Sequence, residues 1–138
     1  ATNGSGTATP PSTPTPTPLP TTTALNELEP NNTIAQAQPL ASDALQLNGA
    51  LPLQDQDHFR VSLGAGKRLT AIVTPTSATA AGLGVFLTDG RPLLLLSGAA
   101  GAARQVTVTN SGSTAVNVVL RIHHSGGSAG SYSLSLAP

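Results

Sequence analysis

From Leu45 onward, apolar and polar residues alternate in short runs broken by turn residues, the period-two signature of half-buried β-strands. Phe59, Val61 and Leu63 share one face of His58–Leu63. The turn Gly64-Ala65-Gly66-Lys67 leads into Arg68–Thr74. Leu83–Thr88 and Pro92–Ser97 flank Asp89-Gly90, a strong hairpin signal. Arg104–Thr109 alternates up to the stop Asn110-Ser111-Gly112-Ser113, and Ala115–His123 places Val116, Val118, Leu120 and Ile122 on one face. A Gly/Ser turn at 125–128 precedes the closing run Tyr132–Leu136. No stretch after residue 44 sustains a 3.6-residue period. Only Asn32–Leu40 suits a helical turn, with Asn32 as N-cap and Pro39 near its end. The pattern predicts an all-β fold, an antiparallel β-sandwich of seven to eight short strands.

The sandwich is expected to span about residues 25–138, behind a linker at residues 1–24. Ala1–Thr23 hold nine Thr and six of the twelve Pro, without one charge. Each Pro fixes its own φ and pushes its predecessor toward extended geometry. A solvated polyproline-like spacer that buries nothing is expected there. Such Pro/Thr tracts commonly tether neighbouring secreted modules.

Composition narrows the function. The 138 residues include no Cys, Met or Trp, and six acidic residues balance six basic ones. Without Cys there is no disulfide framework, thiolate metal site or cysteine nucleophile. Zero net charge argues against nucleic-acid binding, which needs a basic stripe. No apolar run approaches the length of a membrane span. The chain does not begin with Met, so a processed or excised piece is expected, its signal peptide already removed. With only Phe59, Phe86 and Tyr132 as aromatics, the core must be built from Leu, Val, Ala and Ile. An added source of stability would be useful to such a core.

The few charges are unevenly placed. Four of the six acids fall in two clusters, Glu27-Leu28-Glu29-Pro30-Asn31-Asn32 and Asp55-Gln56-Asp57. In extended backbone, residues two apart point the same way, so each cluster aims two carboxylates together. Asn31 and Asn32 add neutral oxygens. Calcium takes about six to eight oxygen ligands and tolerates irregular geometry. If the two clusters meet, a hard cation is the simplest means of holding them together; otherwise they are solvated loop charges. Asp55-Gln56-Asp57 lacks the glycine and distal glutamate of an EF-hand loop.

The segment Glu27–Thr33 followed by Ala35-Gln36-Ala37 resembles the entry motif of bacterial pre-peptidase C-terminal domains. Gly49 with Asp55–Val61, the turn Leu63–Leu69, the hairpin Leu83–Gly90 and the ending Gly130–Leu134 are similar to further pieces of that family, in its order. The resemblance covers about residues 26–137. It implies a jelly-roll-like sandwich, itself non-catalytic, appended to a secreted bacterial peptidase. Collagen-binding domains of clostridial collagenases are relatives of this family and hold calcium at the corresponding acidic segments. The implied calcium ligands here are Glu27, Glu29, Asn31, Asp55 and Asp57. Asn32 stands where an Asp is common, which weakens the site or reduces the number of ions. Collagen binding does not carry over, because those binders present exposed tyrosines and Tyr132 is this chain's only one.

Catalytic look-alikes do not hold together. Gly126-Gly127-Ser128-Ala129-Gly130 satisfies G-x-S-x-G but lacks the following helix that a nucleophile elbow needs. His58 is expected to point outward beside Asp57, and His123 and His124 to face opposite sides of a strand. Arg60, Lys67, Arg68, Arg91, Arg104 and Arg121 read as dispersed, solvated charge. The expected protein is a monomeric, calcium-stabilised accessory domain of a secreted peptidase or related exoprotein, aiding secretion, stability or targeting. It would be extracellular or in the bacterial cell envelope, with an attached or neighbouring peptidase domain as its partner. The alternatives are a glycan- or matrix-binding module, or a free-standing small secreted or envelope protein.

Overall fold

A computed structural model describes residues 23–138; the linker expected at residues 1–24 lies outside the described residues except for Thr23 and Ala24. Ten strands follow in order: β1 Thr23–Asn26, β2 Gln38–Leu40, β3 Leu45–Leu51, β4 Gln56–Leu63, β5 Arg68–Pro75, β6 Thr79–Leu87, β7 Pro92–Leu96, β8 Arg104–Thr109, β9 Val116–Gly127 and β10 Gly130–Ala137. They form two five-stranded sheets, β1-β3-β10-β5-β8 and β2-β4-β9-β6-β7, packed as a sandwich. We call these sheet A and sheet B.

The expected sandwich is present, and the long alternating runs became its strands. In β3 every second residue from Leu45 to Leu51 is buried, and Phe59, Val61 and Leu63 of β4 face the interior. A single core of Leu, Val, Ala and Ile with Phe59 and Tyr132 fills the gap between the sheets. Glycines at positive φ sit in the turns, Gly66 at 71° and Gly90 at 92°, where side-chain-bearing residues would be strained.

Three details differ from the sequence reading. The strand count is ten, and two pairings are parallel, β1 with β3 and β2 with β4. The region expected to form a helical turn holds only a 3₁₀ turn, Ile34–Gln36, capped by Thr33 instead of Asn32. Pro39 lies in β2, at the sheet edge where a missing N–H is tolerated. Phe86 is not in the main core. It lies on the outer face of sheet B, packed with Val119, Ala37 and Ile34 beneath the 3₁₀ turn.

The N-terminal segment therefore does structural work. It leaves the edge of sheet A after β1, crosses residues 27–37, and joins the edge of sheet B as β2. The acidic entry segment is this crossover.

Candidate metal site at the crossover between the sheets

Asp57 is in β4 with the parity of Phe59 and Val61, so its carboxylate enters the sandwich interior and is wholly buried. The crossover brings Glu27 and Glu29 to the same place. One carboxylate oxygen from each of Glu27, Glu29 and Asp57 lies within 4.8 Å of the others. Two oxygens on one calcium ion, each at about 2.3–2.6 Å, are at most about 5 Å apart, so the trio has the spacing of a shared cation.

Each carboxylate is oriented from behind by a protein donor. Ala50 N–H donates to Glu27 Oε1 at 2.6 Å, and Asn31 N–H to Glu29 Oε2 at 3.0 Å. Tyr132 Oη donates to Asp57 Oδ2 at 2.7 Å, reaching from β10 of sheet A to β4 of sheet B. Outer hydrogen bonds of this kind orient metal-ligating carboxylates. Gly49 makes the Tyr132 position available, because a Cβ on residue 49 would lie 2.5 Å from the phenol ring.

Asn31 is fully buried among the three acids. One end of its amide faces Glu29 Oε2 at 3.0 Å and Asp57 Oδ1 at 3.1 Å, while the other end faces Glu27 Oε2 at 3.4 Å. Turning the amide to donate to Glu29 and Asp57 points its oxygen at Glu27, and the reverse turn points that oxygen at the other two. Turned so that its nitrogen donates to Glu29 and Asp57, the amide satisfies both, and a hydrogen bond between Asp57 and Glu27 completes the calcium-free corner.

Burial pushes the Asp57 carboxyl up to about 8, with the neighbouring Glu27 and Asp55 charges adding to the rise and the Tyr132 hydrogen bond opposing it. The Tyr132 phenol is raised as well, by its own burial and then by the adjacent Asp57. Without a counter-charge, this corner holds a carboxylic acid that resists ionising. The residues present fit a hard divalent cation.

The structure gathers four of the five expected ligands, namely Glu27, Glu29, Asn31 and Asp57. Asp55 stands outside the trio, in the turn before β4, where it interacts with Asp57 through charge and gives its backbone carbonyl to His124 N–H at 3.0 Å. Sequence reading missed Tyr132 and Gly49 as parts of this site, since nothing local connects them to Asp57.

His58 points away from the core, as strand parity predicts. It is on the outer face of sheet B but is covered by the crossover and only 5% exposed. Its backbone N–H and its Nδ1 both meet the Asn31 carbonyl, at 2.8 and 3.1 Å. A carbonyl only accepts, so Nδ1 carries the hydrogen. His58 thereby fixes the backbone of the residue whose side chain sits among the acids. Burial, with Arg121 nearby, lowers its pKa despite the bond to Asn31.

No family model matches the chain, and no curated protein matches it in sequence. Solved structures match it in fold. The pre-peptidase C-terminal domain of collagenase from Bacillus anthracis superposes with a TM-score of 0.58 at 14% identity, over 72% of this chain and 93% of that one. A periplasmic inhibitor of g-type lysozyme from Aeromonas hydrophila superposes with a TM-score of 0.51 at 14% identity, over 85% of this chain and 98% of that one. The chain has the fold of a pre-peptidase C-terminal domain, in agreement with the motifs that resemble that family.

Proposed function

We propose that this protein is a non-catalytic, calcium-stabilised accessory domain of a secreted bacterial peptidase or related exoprotein. The observation that carries the proposal is the convergence of one carboxylate oxygen from each of Glu27, Glu29 and Asp57 within 4.8 Å of one another around the buried Asn31 amide, like charges that a cation would neutralise. Glu27, Glu29, Asn31 and Asp57 would hold the ion, with Asp55 contributing charge from the adjoining turn. Bound there, calcium supplies no reaction chemistry. It neutralises the acids and fastens the crossover to the sandwich, which fixes where the preceding chain leaves the domain.

The fold supports the accessory role, since a domain of a collagenase and an inhibitor of lysozyme share it. The G-x-S-x-G match supports no catalysis, because Gly126 and Gly127 end β9, Gly130 starts β10, and the serine lies in the hairpin between them. An extracellular or envelope location suits a calcium site of modest affinity, about 10⁻⁴–10⁻³ M for such modules. Of the linker expected at residues 1–24, the part before β1 would serve as the tether to a neighbouring peptidase domain.

Calorimetric titration of the apo protein with calcium tests this reading. Saturable binding that is lost in Glu27→Gln and Asp57→Asn supports it. A wild-type protein that takes up no calcium at millimolar concentration refutes it.

A further inference from the structure

The outer face of sheet B carries a second cluster, distinct from the acidic corner and opposite in charge. Strand register sets His58 beside Arg121 and Gln56 beside His123, with Arg60 beside Val119. On the other side of β9, Arg121 and His123 face Gly84 and Gly82 of β6. Two glycines there leave room for side chains to lie flat on the sheet. The His123 ring occupies the space above Gly82, where a Cβ would clash with it, and the Phe86 ring covers Gly84.

Arg121 stretches over the Phe86 ring, its guanidinium carbon 4.8 Å from the ring centroid. That contact holds the cation in place without neutralising it. Among the described residues the one ion pair joins Asp89 to Arg91, so Arg121 has no carboxylate partner. Its Nε is buried with no acceptor, and so is Nδ1 of His123. The charge on Arg121 depresses His123, after the larger effect of burial. Arg121 is thus a positive charge on this part of the face that no carboxylate balances. The sequence reading of Arg121 as solvated, dispersed charge is corrected accordingly.

We propose that this face is a binding site for an anionic oxygen pair, carboxylate or phosphate, centred on Arg121 and supported by His123 and Arg60. A planar guanidinium meets such a group with two parallel hydrogen bonds. The Phe86 platform pre-orients the fork for them. The two anions share this chemistry, and none of the calcium-site carboxylates takes part in it, although the crossover packs on the Phe86 platform.

Retention on immobilised polygalacturonate and on immobilised polyphosphate, in EDTA and low salt, tests the proposal, with dextran as the uncharged control. Zero net charge keeps non-specific attraction small. The wild type should be retained on at least one polyanion and not on dextran, and the preferred matrix tells carboxylate from phosphate. Arg121→Gln should weaken binding by about tenfold or more, the loss expected of a charged bidentate contact. Arg60→Gln, at an exposed position that leaves the core untouched, should weaken it less while melting like the wild type. Failure of the wild type to bind either polyanion, or equal binding by both variants and wild type, overturns the proposal.

Discussion

The hydroxyl of Tyr132 donates to Asp57 Oδ2 at 2.7 Å, joining the two sheets through a buried polar contact between residues 75 positions apart. Both groups are almost wholly enclosed, Tyr132 at 3% and Asp57 at 0% exposure. Removing one partner leaves the other buried without it, a loss of about 1–3 kcal/mol. Tyr132→Phe is therefore expected to lower unfolding free energy by that amount in urea titrations. It should also weaken calcium binding, because the oriented face of Asp57 is lost.

Gly49→Ala acts on the same contact from the opposite strand. The new methyl would lie 2.5 Å from the Tyr132 ring, so the phenol must shift away from Asp57. Overpacking of this kind costs about 1–3 kcal/mol. Combined with Tyr132→Phe the losses should be less than additive, since both variants break one interaction. Additive losses in the double variant would separate Gly49 from the site.

The pH dependence of the calcium-free protein follows from Asp57. Its folded-state value of about 8 is above the ordinary 3.8, so between these limits the folded chain holds a proton that the unfolded chain releases. The stabilisation from that proton is complete below about pH 4 and is lost as pH rises through 8. In EDTA, Asp57 is expected to make the protein less stable at pH 8 than at pH 5.5. Calcium competes with this proton, so its stabilising effect should be larger at pH 8 than at pH 5.5. Asp57→Asn should flatten both trends.

Asn110 provides a control remote from the acids. Its side-chain Nδ2 lies 2.8–3.1 Å from the carbonyls of Leu63, Gly64 and Thr114, and its Oδ1 accepts from Gly112 N–H at 3.0 Å. The residue is buried, so Asn110→Ala strands several backbone groups at once. A loss of about 2–3 kcal/mol is expected. The calcium-induced shift in melting temperature should persist in this variant, which separates general destabilisation from damage to the site.

The legible parts of the fold were those with long alternation. Phe59-x-Val61-x-Leu63 and Val118-x-Leu120-x-Ile122 announce their buried faces without help from the rest of the chain. The strands β1 and β2 did not, because Thr23–Asn26 and Gln38–Leu40 are too short to show a period and one contains a proline. They are extended because β3 and β4 offer edges in parallel register, a tertiary cause that local sequence does not display. The same division runs through the candidate site. Glu27, Glu29 and Asp57 stand out in a chain with few charges, whereas Tyr132 resembles any core aromatic until the sheets are stacked. Strand parity alone placed His58 on the outer face. The crossover that covers it is visible only in three dimensions.

Thermal unfolding in excess calcium and again in EDTA, at pH 8, tests the central claim most directly. A ligand at a hundredfold excess over its Kd stabilises the folded state by about 2.7 kcal/mol. For a domain of this size that corresponds to a rise of roughly 10 °C in melting temperature. The expected result is a higher midpoint in calcium for the wild type, with the shift abolished in Asp57→Asn. Identical wild-type midpoints in calcium and EDTA would contradict a calcium-stabilised domain.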